Sequence, residues 1–203
     1  MVAVSAGLRG VAVALMKIAN DMRWLASGPR AGLHELELPA NEPGSSIMPG
    51  KVNPTQQEAM VMVCLQVIGE DAIVASAGAQ GNFELNAMRP IIIDNVLHSA
   101  RILGDASEKL RRYSIEGTEL DRDKVRDYVG RSLMLVTALS PHIGYDKASA
   151  IAHKADDEGT SLREAALARG GSAADFDRIV DPGAMVGDPR RDLGLEPRPG
   201  RAT

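Results

Sequence analysis

Leu8, Val11, Leu15, Ile18, Met22 and Leu25 follow one another at alternating steps of three and four residues, which brings them onto one stripe of an α-helix. Gly28 and Pro29 close that segment, since proline lacks the amide a continuing helix needs. Between positions 39 and 54 the periodicity vanishes among Pro, Gly, Ser and Asn, and a long surface loop is expected. Pro54 suits the first position of the next helix, where its missing N–H would have had no intrahelical partner. Within that helix Met60, Val61, Met62, Val63, Cys64, Leu65, Val67 and Ile68 leave no polar side, the pattern of a helix surrounded by others. After a break at 78–81, Pro90 opens a third helix with Ile93, Val96, Ala100, Leu103 and Leu110 on one face.

Near Glu116 the character changes. The segments 122–139, 147–158, 162–169 and 173–180 are short and end at Pro141, Gly159, Gly170-Gly171 and Pro182. Ser161 and Glu164 have the spacing of a capping box, and Asp146 and Ser172 suit N-cap positions. The fold expected is therefore all-α: a long-helix bundle segment over 1–115 carrying the loop 39–54, then a small all-helical domain over 116–181. The tail 182–203, with four prolines and four arginines, is expected to be disordered. Three long helices carry more apolar surface than they can bury in one another, so helices of other chains are expected to cover the rest.

Composition narrows the function classes. The chain has 203 residues, 44% of them hydrophobic, and 27 acidic against 23 basic side chains, for a net charge of −4. With six aromatic residues there is neither a basic field nor a stacking platform, and nucleic-acid binding is set aside. The apolar stretch near the start has only seven residues between Arg9 and Lys17, too short to span a bilayer, so no membrane anchor or leader is expected. Cys64 is the sole cysteine and lies in an apolar run, which predicts a buried thiol and fits a reducing cytoplasm.

His34, His98, His142 and His153 include no pair at ligand spacing on a shared helix face, and no phosphate-binding glycine motif occurs. Neither a metal nor another cofactor is expected. What remains is the stretch from Gly44 through Ser45, Ser46, Ile47, Met48, Pro49, Gly50, Lys51, Val52 and Asn53 to Pro54, which runs into Glu58. It gathers backbone N–H donors, two hydroxyls, an ammonium, a carboxamide and a helix N-terminus, a set that suits an anionic substrate. The same composition also makes an ordinary turn with a solvated lysine.

That stretch resembles the signature loop of the fumarase/aspartase superfamily. Asn82-Phe83-Glu84-Leu85-Asn86, Arg89-Pro90 and Thr55-Gln56 resemble class II fumarases rather than aspartases, and similarity extends over all but about the last twenty residues. The resemblance implies fumarate and malate as substrates, with Ser45 as the general base that removes a C3 proton from malate. It further implies that Ser46, Lys51, Val52 and Asn53 bind substrate and that Glu58 orients a histidine of another subunit. Asn82, Glu84 and Asn86 are read as organisers of the helix break, and His142 and Tyr145 as residues that fix a turn. Family chains are more than twice this length and assemble each site from three subunits of a homotetramer. This chain is thus expected to begin inside the central bundle, to lack the histidine that handles water, and to be inactive without the missing portion. Two other readings stay open: an aspartase-type ammonia-lyase, and a helical remnant that only associates.

Overall fold

The computed structural model describes residues 1–42, 44, 47–48 and 50–186. The chain forms two compact units, Met1–Arg122 and Asp123–Thr203. The first is built on α1 (Val2–Leu25), α2 (Thr55–Gly78) and α3 (Arg89–Tyr113). Side-chain pairs fix their directions. Ser5 on α1 donates to Asp71 on α2 at 2.7 Å, while Arg23 near the other end of α1 meets Glu58 at the start of α2, so the two helices are antiparallel. Ser99 on α3 donates to Glu70, and Gln57 donates to Ser114 just past α3 at 2.5 Å, so α2 and α3 are antiparallel as well.

The core between these helices consists of Ala12, Ala19, Met60, Cys64, Val67, Leu103 and Leu110, with Val74, Ala77, Ile92 and Val96 toward one end. Burial raises the Cys64 thiol above its ordinary value, as an apolar setting disfavours the thiolate. The helices fall where the periodicity puts them, but their inward faces differ from the expected stripes. On α1 the buried positions are Ser5, Ala12, Ala19 and Met22, whereas Val11 and Ile18 are half-exposed. Alanines at the contact let the helix axes approach closely, which rotates the larger residues outward. On α3 Ile92 and Ser99 are buried in place of Ile93 and Ala100, because Ser99 is drawn in by the Glu70 carboxylate.

Glu70 is buried yet ionisable. Burial pushes its carboxyl up, but hydrogen bonds from Ser99, Gln66 and His98 together outweigh that and hold it below the ordinary 4.5. Replacing it with Ala leaves those donors unpaired and is expected to lower the unfolding free energy by about 2–3 kcal/mol at neutral pH. A carboxylate with a depressed folded pKa stabilises fully above its unfolded value, and the contribution is lost as pH falls through the lower folded value. The gap between wild type and Glu70→Ala in urea denaturation should therefore be complete above about pH 4.5 and shrink on acidification below it. A gap equal at pH 7 and pH 3 would refute this account.

On length and composition alone α1 and α2 could each cross a membrane, which the short stretch bracketed by charges did not indicate. Polar side chains of the two helices meet at one point of their contact, where the buried Asp71 takes both Ser5 and, at 3.1 Å, Arg9.

Two details escape an all-helical expectation. The strand β1 (Leu36–Glu37) pairs antiparallel with β2 (Glu119–Leu120), so the chain beyond α3 folds back onto the segment after α1. That pairing keeps residues 119–120 with the first unit, beyond the boundary expected near 116. Pro54 caps α2 rather than entering it, its carbonyl accepting from the Glu58 N–H at 3.0 Å.

In the second unit α4 (Arg122–Arg131) gives way to a 3-10 turn over Leu133–Leu139, then α5 (Ser140–Ile143), α6 (Tyr145–Glu158), α7 (Leu162–Ala168), α8 (Ala173–Ile179) and α9 (Pro182–Met185). Leu139, Ala148, Ile151, Ala155, Leu162, Ala165 and Ala166 form its core. Ser161 and Glu164 make the expected capping box, and Ser172 caps α8. Asp146 lies in the first turn of α6 and Gly144 holds the cap, its φ of +85° being one that glycine tolerates freely. His142 and Tyr145 are exposed, so this turn rests on Gly144 rather than on them. The tail expected to be disordered from 182 begins with the helical turn α9, whose Gly183 N–H is capped by Asp181, and 187–203 lie outside the described residues.

Candidate functional site

The loop 39–54 is tied down at several points. Asn41 donates to the Tyr113 carbonyl at 2.6 Å, mooring the loop to the end of α3. The Gly44 N–H donates to the Lys51 carbonyl at 3.1 Å, and the Asn53 carboxamide donates back to the Gly44 carbonyl at 2.6 Å. These two bonds tie Gly44 to Lys51 and Asn53. Gly44 is needed there because a Cβ would lie 2.0 Å from the Lys51 carbonyl oxygen, which is backbone and has little room to give. Thr55 donates to Glu42, and the buried Gln57 joins the first turn of α2 to Ser114. The start of α2 is therefore rigidly placed.

Of the residues singled out from the sequence, Lys51, Val52, Asn53 and Glu58 line one cavity of about 710 Å³. Lys51 and Val52 are exposed and Glu58 is half-buried. Ser45 and Ser46 lie outside the described residues. Asn53 has a structural duty besides any contact with substrate, since its amide closes the loop.

Sequence reasoning did not single out the wall opposite the loop. Asn20, Arg23 and Trp24 from the last turns of α1 line the same cavity, as do His34 and Glu37. Arg23 Nη2 lies 3.7 Å from Glu58 Oε1, and its Nη1 donates to Asn20 Oδ1 at 3.0 Å. The i,i+3 spacing of Asn20 and Arg23 was legible in the sequence, but their meeting with Glu58 depends on antiparallel packing of α1 on α2. Two cationic side chains, Arg23 and Lys51, and the positive end of α2 thus border a cavity that also carries the carboxylates of Glu37 and Glu58, an arrangement that offers cations and N–H donors to an anionic ligand.

Known proteins resemble this chain over most of its length. Residues 1–69 match the family described as Lyase, and residues 135–187 match the family described as Fumarase C C-terminus. A class II fumarate hydratase of Methanosarcina acetivorans is 73% identical over 197 residues, which is 96% of this chain and 40% of the relative. One from Thermosynechococcus vestitus is 59% identical over 93% of this chain and 40% of its own length. The crystal structure of the class II fumarase of Schistosoma mansoni superposes with a TM-score of 0.85 at 45% identity, covering 89% of this chain and 38% of that one. The chain spans about two fifths of the length of the curated relatives it matches.

Proposed function

We propose that this chain, which belongs to the class II fumarate hydratase family through its match to a C-terminal portion of those proteins, supplies the signature-loop wall of a fumarate hydratase site. The reaction is the reversible addition of water to fumarate to give malate, a step of the tricarboxylic acid cycle. In the direction of dehydration Ser45 takes the C3 proton, the C3–H electrons pass into the adjacent carboxylate and then return to form the C2=C3 bond as C2–O breaks, and the C2 hydroxyl takes up a proton and leaves as water. Lys51, with Ser46, Val52 and Asn53, binds the substrate carboxylates and steadies the developing charge. Glu58 orients a histidine supplied by another subunit.

The observation that carries this reading is the cavity itself. Lys51, Val52, Asn53 and Glu58 converge on it from a pinned loop and a fixed helix start, and Arg23 adds a second cation, so a dicarboxylate finds charge and donors on two sides. Protonation of the departing hydroxyl falls to the portion of the relatives that this chain does not span. The working form is a cytoplasmic homotetramer joined through the long helices, free of nucleic acid and membrane. The buried Cys64 suits a reducing compartment.

Turnover of malate and of aspartate, by the chain alone and mixed with the complementary N-terminal portion of a relative, separates this reading from its rivals. Malate–fumarate interconversion is expected only in the mixture. Ammonia release from aspartate would favour the aspartase reading, and no reaction in a folded, assembled mixture would favour a purely associating fragment.

A further inference from the structure

We propose that His34, Glu37 and Asp121 form a divalent-cation site beside the β1–β2 pair, at the edge of the cavity that His34 and Glu37 help to line, a binding function that does not depend on the hydratase reading. One ligand atom from each of the three lies within 4.8 Å of the other two. His34 Nε2 is 3.7 Å from Glu37 Oε1, close to the spacing of two ligands that each stand about 2.0–2.2 Å from one metal ion.

Backbone bonds bring the three together. The His34 N–H donates to the Ser27 carbonyl and the Glu35 N–H to the Leu25 carbonyl, each at 2.8 Å, which fixes this segment to the end of α1. Glu37 is in register with Glu119 in the ladder, and the Asp121 N–H donates to the Glu35 carbonyl at 3.0 Å. The carboxylates of Glu37 and Asp121 therefore reach the imidazole from two chain segments locked side by side. Glu37 is exposed, so its side chain is free to close the remaining distance.

Two features of His34 point to a ligand rather than to packing. Its φ is +48°, a left-handed conformation that a side chain other than glycine adopts at a cost and that recurs at functional positions. Its ring is 23% exposed, yet Nδ1 is buried with no hydrogen-bond partner and Nε2 stands beyond hydrogen-bond distance from Glu37. An imidazole held in this conformation with two carboxylates close by gains from a bound cation. One imidazole and two carboxylates are an N/O donor set that suits Zn²⁺, Co²⁺ or Mn²⁺, and the two negative charges balance the dication. With three protein ligands the remaining coordination positions go to water.

The test is titration of the metal-depleted chain with Zn²⁺ by calorimetry and with Co²⁺ by visible absorption, where coordination by protein ligands intensifies the d–d bands. One saturable site is expected. Glu37→Gln, at an exposed position, should weaken it at least about tenfold, and His34→Gly should abolish it. His34→Gly should keep the helical circular dichroism of the wild type, because glycine takes φ of +48° freely. The proposal is overturned if neither ion binds saturably, or if both variants bind as tightly as the wild type.

Discussion

Ser45→Ala, introduced into an assembly that contains the complementary N-terminal portion, is expected to lower kcat for malate dehydration by about 10²- to 10⁴-fold with little change in KM. General-base catalysis contributes that range, and a methyl group has no atom to receive the C3 proton. The Gly44–Lys51 and Asn53–Gly44 bonds involve other residues, so the substitution is expected to remove the base and leave those bonds standing. Lys51→Ala should behave differently. An ammonium on the cavity wall attracts the dicarboxylate before and during reaction, so its loss raises KM as well as lowering kcat/KM. Steady-state kinetics on assemblies of unchanged size distinguish the two. A Ser45→Ala enzyme with wild-type turnover would remove Ser45 from the role of base.

The sequence made the helices legible because three long segments keep their apolar spacing without interruption. It was less informative about which residue of a stripe points inward. Hydrophobicity favours Val11 and Ile18 over Ala12 and Ala19, while close helix packing rewards the smaller side chain. Ser99 reads as an outward polar residue until Glu70 is found opposite. The 3-10 turn over Leu133–Leu139 read as a continuation of the preceding helix, since apolar content is the same in both. The loop side of the site was legible through motif and spacing. The facing wall was not: Arg23 reaches Glu58 through tertiary packing, and His34 meets Asp121 through a two-residue ladder too short to leave a periodic signal.

Self-association should have the second large effect, and the exposed faces of the long helices carry the reason. Val4, Val11 and Ile18 recur every seven residues on the outside of α1 and are about half-exposed. On α2 the outward row is Met62, Leu65, Gly69 and Ile73, and on α3 it is Ile93, Leu97, Ala100 and Gly104, each residue exposed in the single chain. Gly69 and Gly104 sit in mid-helix, where glycine costs about 0.5–1 kcal/mol relative to alanine, and a Cβ at either would meet nothing within 4 Å. Steric relief inside the chain does not account for them, and close approach of a helix of another chain is the expected reason. At about 25 cal/mol per Å², leaving such rows in water forgoes on the order of 5–10 kcal/mol, comparable to the whole stability of a domain. The chain is therefore expected to sediment at micromolar concentration as a helical oligomer, with the proposed tetramer as its complete form. The double variant Met62→Glu/Leu65→Glu places two carboxylates in the α2 row and should shift it to smaller species of lower thermal stability. A wild-type chain that sediments as a monomer and unfolds cooperatively would mean that these rows need no partner.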